Sequence, residues 1–383
     1  MTLRTLNESV DYFQNTMASC PERDGNAAIE AACSGARHQF PAFSIGYRID
    51  PLDRTASESI FTPPETKFDG SPDGLLAKTI ISLLAPLDMH NTVCGTISPG
   101  FLKGIGSPAD LIPSFGIPLS DDGGAPAYTM TLDEALKMPP PDDGSSGNMP
   151  IFREGIEIIK AMTPPEFRIS MPDMQGPFNL AHAMIGDDAF TEAMVAPERF
   201  HEFMERITSF WINARIALAG WIGHERLSPL DMMPRIAECS VNMVSREFYM
   251  EHILPYDLKI AREFGAVRIH PCSGVHVFDV TLENLPVAVT EAGNMIARMA
   301  APVVSVRHAL DMIGSRPVNL VIGQELPENM DDAFRIVAED LDLLRDNPRV
   351  IVSGYTGIFW RRKDKPAIRE LHLSLDRYWK EKK

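Results

Sequence analysis

What the chain lacks narrows the field first. It carries five cysteines among 383 residues: Cys20, Cys33, Cys94, Cys239 and Cys272. An odd number at irregular spacing is no disulfide framework. A reducing cytoplasm is the compartment expected, with the thiols buried or reactive. Positive charge is also scarce: 36 Lys and Arg against 52 Asp and Glu leave a formal charge of -16. A surface this acidic repels phosphate backbones and anionic bilayers, so neither nucleic acid nor a membrane is an expected partner. Long apolar runs are missing too. Ile80–Leu87 is the longest, far short of the ~20 residues that span a bilayer. Met1 to Phe13 lack the basic-then-apolar order of a signal peptide. No internal repeat, low-complexity tract or glycine-rich nucleotide turn is found, and Gly104-Ile105-Gly106 stands alone.

What is present is apolar mass, 44% of the chain, enough for a large core. Turn chemistry crowds the early part, in Pro63-Pro64, Pro99-Gly100, Asp121-Asp122-Gly123-Gly124 and Pro139 to Gly144. Regular alternation follows. Helices are predicted over Ile151–Met162 and Pro177–Ile185, then a long one after Pro197 with Phe200, Phe203, Met204, Ile207, Phe210, Trp211 and Ala214 on one buried stripe. Ser245 is placed to cap a helix to Phe264 that Pro255 kinks. Met330–Arg345 and Arg369–Trp379 complete the helices, the former with Ala333, Val337, Ala338, Leu341 and Leu344 inward. Strands are predicted at Phe167–Met171, Arg235–Cys239, Val267–His270, Pro302–Val306, Val318–Ile322 and Val350–Val352. Short apolar strands alternating with helices predict a parallel α/β fold. The architecture expected is a (β/α)₈ TIM barrel over residues 85–383. Residues 1–84 form an N-terminal helical or irregular elaboration, and the first barrel strand is expected within the irregular early part.

In such a barrel the active site lies at the C-terminal ends of the strands. That position singles out Asp173 and Gln175, Glu238 and Cys239, His270 and Cys272, His308, Gln324 and Glu325, and Tyr355. On an extended segment His270 and Cys272, two apart, face one side, where imidazole and thiolate can share a zinc ion. The same pair fits a buried strand-end histidine beside a small hydrophobe. Glu238 or Cys239 can supply a third ligand, and Glu238 can instead orient His270; the alternative is a solvated carboxylate beside a buried thiol. Asp173 suits a general acid or base, or a turn that satisfies backbone amides. His270 and Tyr355 are the other expected catalytic groups, and Gln175, Asn179, His308 and Glu325 are expected to bind substrate. His276 reads as a surface residue. Asp88-Met89-His90 opens like the Asp-x-His-x-x-Gly signature of corrinoid-binding domains, but Val93 stands where the glycine belongs.

Several segments together resemble the uroporphyrinogen decarboxylase superfamily. They are Asp173 to Ala181, Ala196-Pro197-Glu198, Ser245 to Tyr249 with Leu254-Pro255-Tyr256, Ile269 to Gly274, and Gly354 to Ile358. The resemblance covers roughly residues 85–383 and implies a (β/α)₈ barrel with its pocket at the strand C-termini. True uroporphyrinogen decarboxylases carry an Arg-Gln-Ala-Gly-Arg run that grips substrate carboxylates, and it is not found here. The chain is more similar to the methyltransferase and O-demethylase branch. There His-x-Cys and a later cysteine near a Gly-x-Gly bind zinc. His270 and Cys272 match the first part, while Tyr355 or Thr356 stands near the place of the later cysteine. The resemblance implies transfer of a methyl group between a small methylated substrate, such as a methyl ether, and a cobalamin carried by a separate corrinoid protein, with zinc assistance. A second copy of the chain stands among its expected partners. The alternatives are a decarboxylase acting on an unknown acid, with Asp173 stabilising a protonated intermediate, and a ligand-binding barrel without catalysis.

Overall fold

The computed structural model describes residues 45–47, 111–120, 125–162, 165, 168–272, 274–291, 305–322, 325–347, 349–352, 355–357 and 364–382. Cys20, Cys33, Cys94, Asp88-Met89-His90, Gly104-Ile105-Gly106, Gln324 and, apart from 45–47, the expected N-terminal elaboration lie outside them. The described residues of Lys103–Ala288 pack as one body, and those of Val289–Lys383 with β1 (Ile45–Tyr47) as another.

In the first body α1 (Leu132–Lys137) starts at a capping box. The Thr131 hydroxyl accepts from the Glu134 amide, and the Glu134 carboxylate accepts from the Thr131 amide. Then come α2 (Met149–Met162), α3 (Pro177–Ile185), α4 (Asp188–Val195) and α5 (Pro197–Ile222). The proline that opens α5 has no amide to leave unsatisfied there. All seven residues of its expected stripe, Phe200 to Ala214, are buried, and α2, α3 and α4 pack on α5. Phe178 of α3 meets Phe190, Phe200 and Phe248 edge-on, with ring centroids 5.6, 6.3 and 5.8 Å away. Of these rings Phe178 and Phe200 are fully buried, each contributing roughly 1.5–3 kcal/mol, which fixes α3 firmly on this core.

Ser245 caps the next helical run, accepting from the Phe248 amide at 3.2 Å. Arg246–Phe248 is α-helical, Tyr249–Ile253 widens into a π turn, and α6 (Leu254–Phe264) resumes the regular pitch. Pro255 has no amide to give one turn back, so the widened turn sits where proline predicts a kink. The pair that positions the site is β2 (Arg235–Ala237) and β3 (Val267–His270), parallel, with Ala237 opposite His270. α7 (Val275–Asn284) departs just beyond β3.

The second body holds most of β4 (Val287–Glu291), then α8 (Val306–Ile313), β5 (Asn319–Ile322), β6 (Glu325–Leu326), α9 (Met330–Asp346), β7 (Val350–Val352), β8 (Tyr355–Gly357) and α10 (Lys365–Glu381). β5 pairs with β4 and β7, and β8 pairs with β1 and β6, every pair parallel. α9 buries Ala333, Val337, Ala338 and Leu341 as their spacing predicts, while Leu344 is half-buried. Parallel strands alternating with helices make this the α/β class expected.

Three expected strands differ. Of Phe167–Met171, the described residues keep one parallel bridge, Ile169 to Leu227. The Met171 amide bonds the Asp231 carboxylate at 3.3 Å, and Pro172 has no amide to offer a ladder. Arg235–Cys239 stops at Ala237 because Cys239 opens a 3₁₀ turn, Cys239–Met243. Within Pro302–Val306 only Ser305 and Val306 are described. There the Ser305 hydroxyl accepts from the His308 amide and starts α8.

Candidate metal centre

Because β2 and β3 end in register, the residues just past them converge. Cys239 heads the 3₁₀ turn, His270 ends β3, and Cys272 follows two residues later. One ligand atom from each of the three lies within 4.8 Å of the other two, and all three residues are half-buried. The strand alternation that the sequence predicts is not what delivers Cys272. Its φ is 51°, in the left-handed region, and the Gly274 amide closes a turn on the Pro271 carbonyl at 2.8 Å. Such a backbone costs a non-glycine residue on the order of 1–3 kcal/mol, and strain of this kind gathers at functional sites. The Cys239 thiol is pushed well above its ordinary range by its hydrogen bond to Cys272 and then by burial, while the Asn179 side chain and the Arg235 charge pull it down.

Glu238, the other residue considered for a third ligand, is not in this group. Its carboxylate accepts from the Phe178 amide at 3.0 Å and the Asn179 amide at 2.9 Å, capping the first turn of α3. The residue before α3 is Gly176, which has no side chain to do this. A Cβ there would lie 2.2 Å from a Glu238 oxygen, so the glycine is what admits the carboxylate. Burial, and then the Asp257 charge, raise Glu238 well above the usual carboxylate range against the pull of those two amides.

Asn179, expected to bind substrate, is buried with its amide engaged. Its Nδ2 donates to the Gln175 Oε1 at 2.5 Å and the Ala237 carbonyl at 2.9 Å, and its Oδ1 accepts from the Ser240 amide at 2.7 Å. Gln175 is itself left-handed, φ 57°. The Trp211 indole holds its carbonyl at 2.9 Å, and Asp173 Oδ1 accepts from its backbone amide and its side chain, both at 3.2 Å. The same oxygen accepts from Arg235 at 2.9 Å. Asp173 is thus a turn residue and an ion-pair partner at once, and Arg235 links it to the cysteine turn.

Behind His270 lies a small cavity of about 20 Å³, room for about one water-sized body. Glu238, His270, Tyr249, Asp257 and Thr281 supply its polar wall. The Tyr249 hydroxyl donates to Asp257 Oδ2 at 3.0 Å, while Asp257 Oδ1 has no hydrogen-bond partner among the described residues. Burial pushes the Asp257 carboxyl up to about 7. Sequence reasoning passed over Asp257, Tyr249 and Arg235. For Asp257 a signal exists: it shares the buried face of α6 with Leu254, Ile260 and Ala261, a charged residue on an apolar stripe.

His308, Glu325 and Tyr355 belong to the second body. His308 is exposed on α8. Glu325 lies on β6 and pairs with Thr356; Tyr355 lies on β8 and pairs with Ile45. His276 is exposed on α7, and its ring meets the Val244 carbonyl at 2.9 Å.

Comparison with known proteins bears on the whole. A methyltransferase from Methanosarcina mazei has a similar structure, with a TM-score of 0.63 over 93% of this chain and 100% of that one, at 15% identity. At that identity the likeness gives the fold, which is the (β/α)₈-barrel class expected. No protein of curated function matches the chain. Residues 115–312, just over half of the chain, match the uroporphyrinogen decarboxylase (URO-D) family. That stretch includes β2, β3 and every residue of the cysteine–histidine cluster, so the assignment rests on the part that builds the site: the chain belongs to the uroporphyrinogen decarboxylase family.

Proposed function

We propose that the chain is a methyltransferase of this family. It would move a methyl group between a small methylated substrate, such as a methyl ether, and a cobalamin carried by a separate corrinoid protein. A zinc ion held by Cys239, His270 and Cys272 would assist. The observation that carries this reading is the convergence of those three donors within 4.8 Å. Ligand atoms about 2.0–2.3 Å from one ion lie within about 4.6 Å of each other, so small side-chain rotations suffice. Two sulphurs and one imidazole are a donor set that favours zinc, and three protein ligands leave one position for substrate.

When bound there, zinc would polarise the oxygen or sulphur that carries the methyl group, as a Lewis acid. The chain's own residues do the rest. Cys239 and Cys272, as thiolates, balance the ion's charge. His270 presents one nitrogen to the cluster and keeps its ring against the cavity wall of Tyr249 and Asp257. Asp173, with Gln175 and Arg235, forms a half-buried polar group beside Cys239 that can orient a small polar substrate.

The test has two arms. Metal analysis of the purified protein should give about one zinc per chain, and much less for His270→Ala, Cys239→Ala and Cys272→Ala. Incubation with a reduced Co(I) corrinoid protein and a panel of methyl donors should produce the methyl-Co(III) absorption band. No band with any donor sinks the methyltransferase reading, and CO₂ release without corrinoid would favour the decarboxylase alternative.

A further inference from the structure

We infer that Asn179 is a positioning residue for Cys239: it fixes the turn that places the Cys239 sulphur beside His270 and Cys272. This deepens the metal reading proposed above and rests on it for its consequence, though not for its geometry.

The turn is gripped from both ends. Ala237 and Ser240 flank Glu238 and Cys239. Asn179 Nδ2 takes the carbonyl of the first at 2.9 Å, and its Oδ1 takes the amide of the second at 2.7 Å. One planar amide thus spans the segment that carries the thiol. Asn179 is held in turn. It is buried on α3, the Gln175 side chain accepts from it at 2.5 Å, and its own backbone amide is bound by Glu238 at 2.9 Å. The Gln175 carbonyl is bound by the fully buried Trp211. The chain of contacts runs from the α5 core through Gln175 and Asn179 to the cysteine. A ligand on an irregular turn needs such support, because the turn has no ladder of its own to hold it.

The two donor protons of the Asn179 side chain are engaged within the protein. Nδ2 has two protons and already faces the Gln175 and Ala237 oxygens. The substrate-binding role expected of Asn179 is therefore replaced by one that acts through Cys239.

The experiment measures the placement of the thiol and its consequence separately, in the full-length protein. In metal-free protein a dithiol-bridging arsenical captures two sulphurs only at a fixed short spacing. The bridged adduct, mapped by peptide mass, should form on Cys239 and Cys272 in the parent. It should form at least about tenfold more slowly in Asn179→Ala, measured where circular dichroism shows the variant folded. Zinc affinity, by competition with a chromophoric chelator, should fall about 10–100-fold, the usual effect of removing a group that supports a metal ligand. In cobalt(II)-loaded protein the thiolate-to-metal band should weaken, which a loss of stability alone would not produce. Gln175→Ala, which leaves the cysteine turn itself untouched, should move the same readouts less and serves if Asn179→Ala does not fold. Unchanged bridging in a folded variant overturns the inference. If the parent binds no metal, the metal reading fails, and the bridging rate still decides the role of Asn179.

Discussion

Asp257 sets the most demanding test of the interior around the site. Its carboxyl is buried, one oxygen is bound by Tyr249 and the other has no hydrogen-bond partner among the described residues. Burial raises it from 3.8 to about 7. Each tenfold change in proton affinity is about 1.4 kcal/mol, so ionising it inside the folded chain costs about 4 kcal/mol. The sign follows from the direction. The folded state holds this proton more tightly than the unfolded one. Its contribution is therefore complete below about pH 3.8, declines as pH rises towards 7, and is gone above that. Between pH 5 and 8 the wild type should lose about 3 kcal/mol through this group. Asp257→Asn cannot ionise and resembles the neutral acid in shape. The variant should match the wild type only below about pH 3.8, exceed it by about 1.6 kcal/mol at pH 5 and by about 4 kcal/mol at pH 8. Glu238, Tyr249 and His270 face the same cavity and remain in both proteins, so the difference between the two curves isolates Asp257 to first order. Urea unfolding followed by tryptophan fluorescence at four pH values, with a chelator present because metal binding also releases protons, gives the comparison. A difference that stays flat with pH, or a wild type that gains on the variant as pH rises, refutes the reasoning.

Two further outcomes follow from the same packing. Gly176→Ala places a Cβ 2.2 Å from a Glu238 oxygen that is tied to two amides. Overpacking and weakened buried hydrogen bonds should cost about 3 kcal/mol in urea unfolding, while Gly220→Ala, with open space at its Cβ, should stabilise slightly; equal effects from both would refute the steric account. Tyr249→Phe removes the hydrogen bond that holds Asp257 down. The pH at which the wild-type loss occurs should move upward, and a midpoint that stays put or falls counts against the role given to the hydroxyl.

How far the sequence could be read depends on what each segment packs against. The stripe of α5 was legible because an apolar core imposes a helical period, and Phe200, Phe203, Met204, Ile207, Phe210, Trp211 and Ala214 all face it. α3, β3 and β7 fall where spacing placed them. Legibility ends where a polar side chain from a distant segment decides the backbone. Asp231, not a strand neighbour, takes the Met171 amide and ends the expected strand. Ser305 turns the end of another into a helix cap. At the site, strand-end position was enough to single out Cys239, His270 and Cys272, since parallel strands that end together bring their next residues together. The left-handed turn at Cys272 and the grip of Asn179 across Ala237 and Ser240 were not readable, because each is fixed by contacts that no local pattern encodes.

The neighbours Glu238 and Cys239 show why the cluster has three donors. Their side chains part where β2 gives way to the 3₁₀ turn. With Glu238 turned to the first amides of α3, Cys239 is turned towards His270 and Cys272. Helix capping and ligand placement are therefore one constraint: whatever keeps the carboxylate on α3 also presents the thiol. Under the proposed reading this division has a chemical consequence. Two thiolates already neutralise a divalent ion, and a carboxylate swung in as fourth ligand would close the position a substrate needs. Gly176 secures the division, since only a residue without Cβ leaves Glu238 its place. The glycine would then act on the proposed metal centre without touching it, by keeping a competing ligand occupied elsewhere.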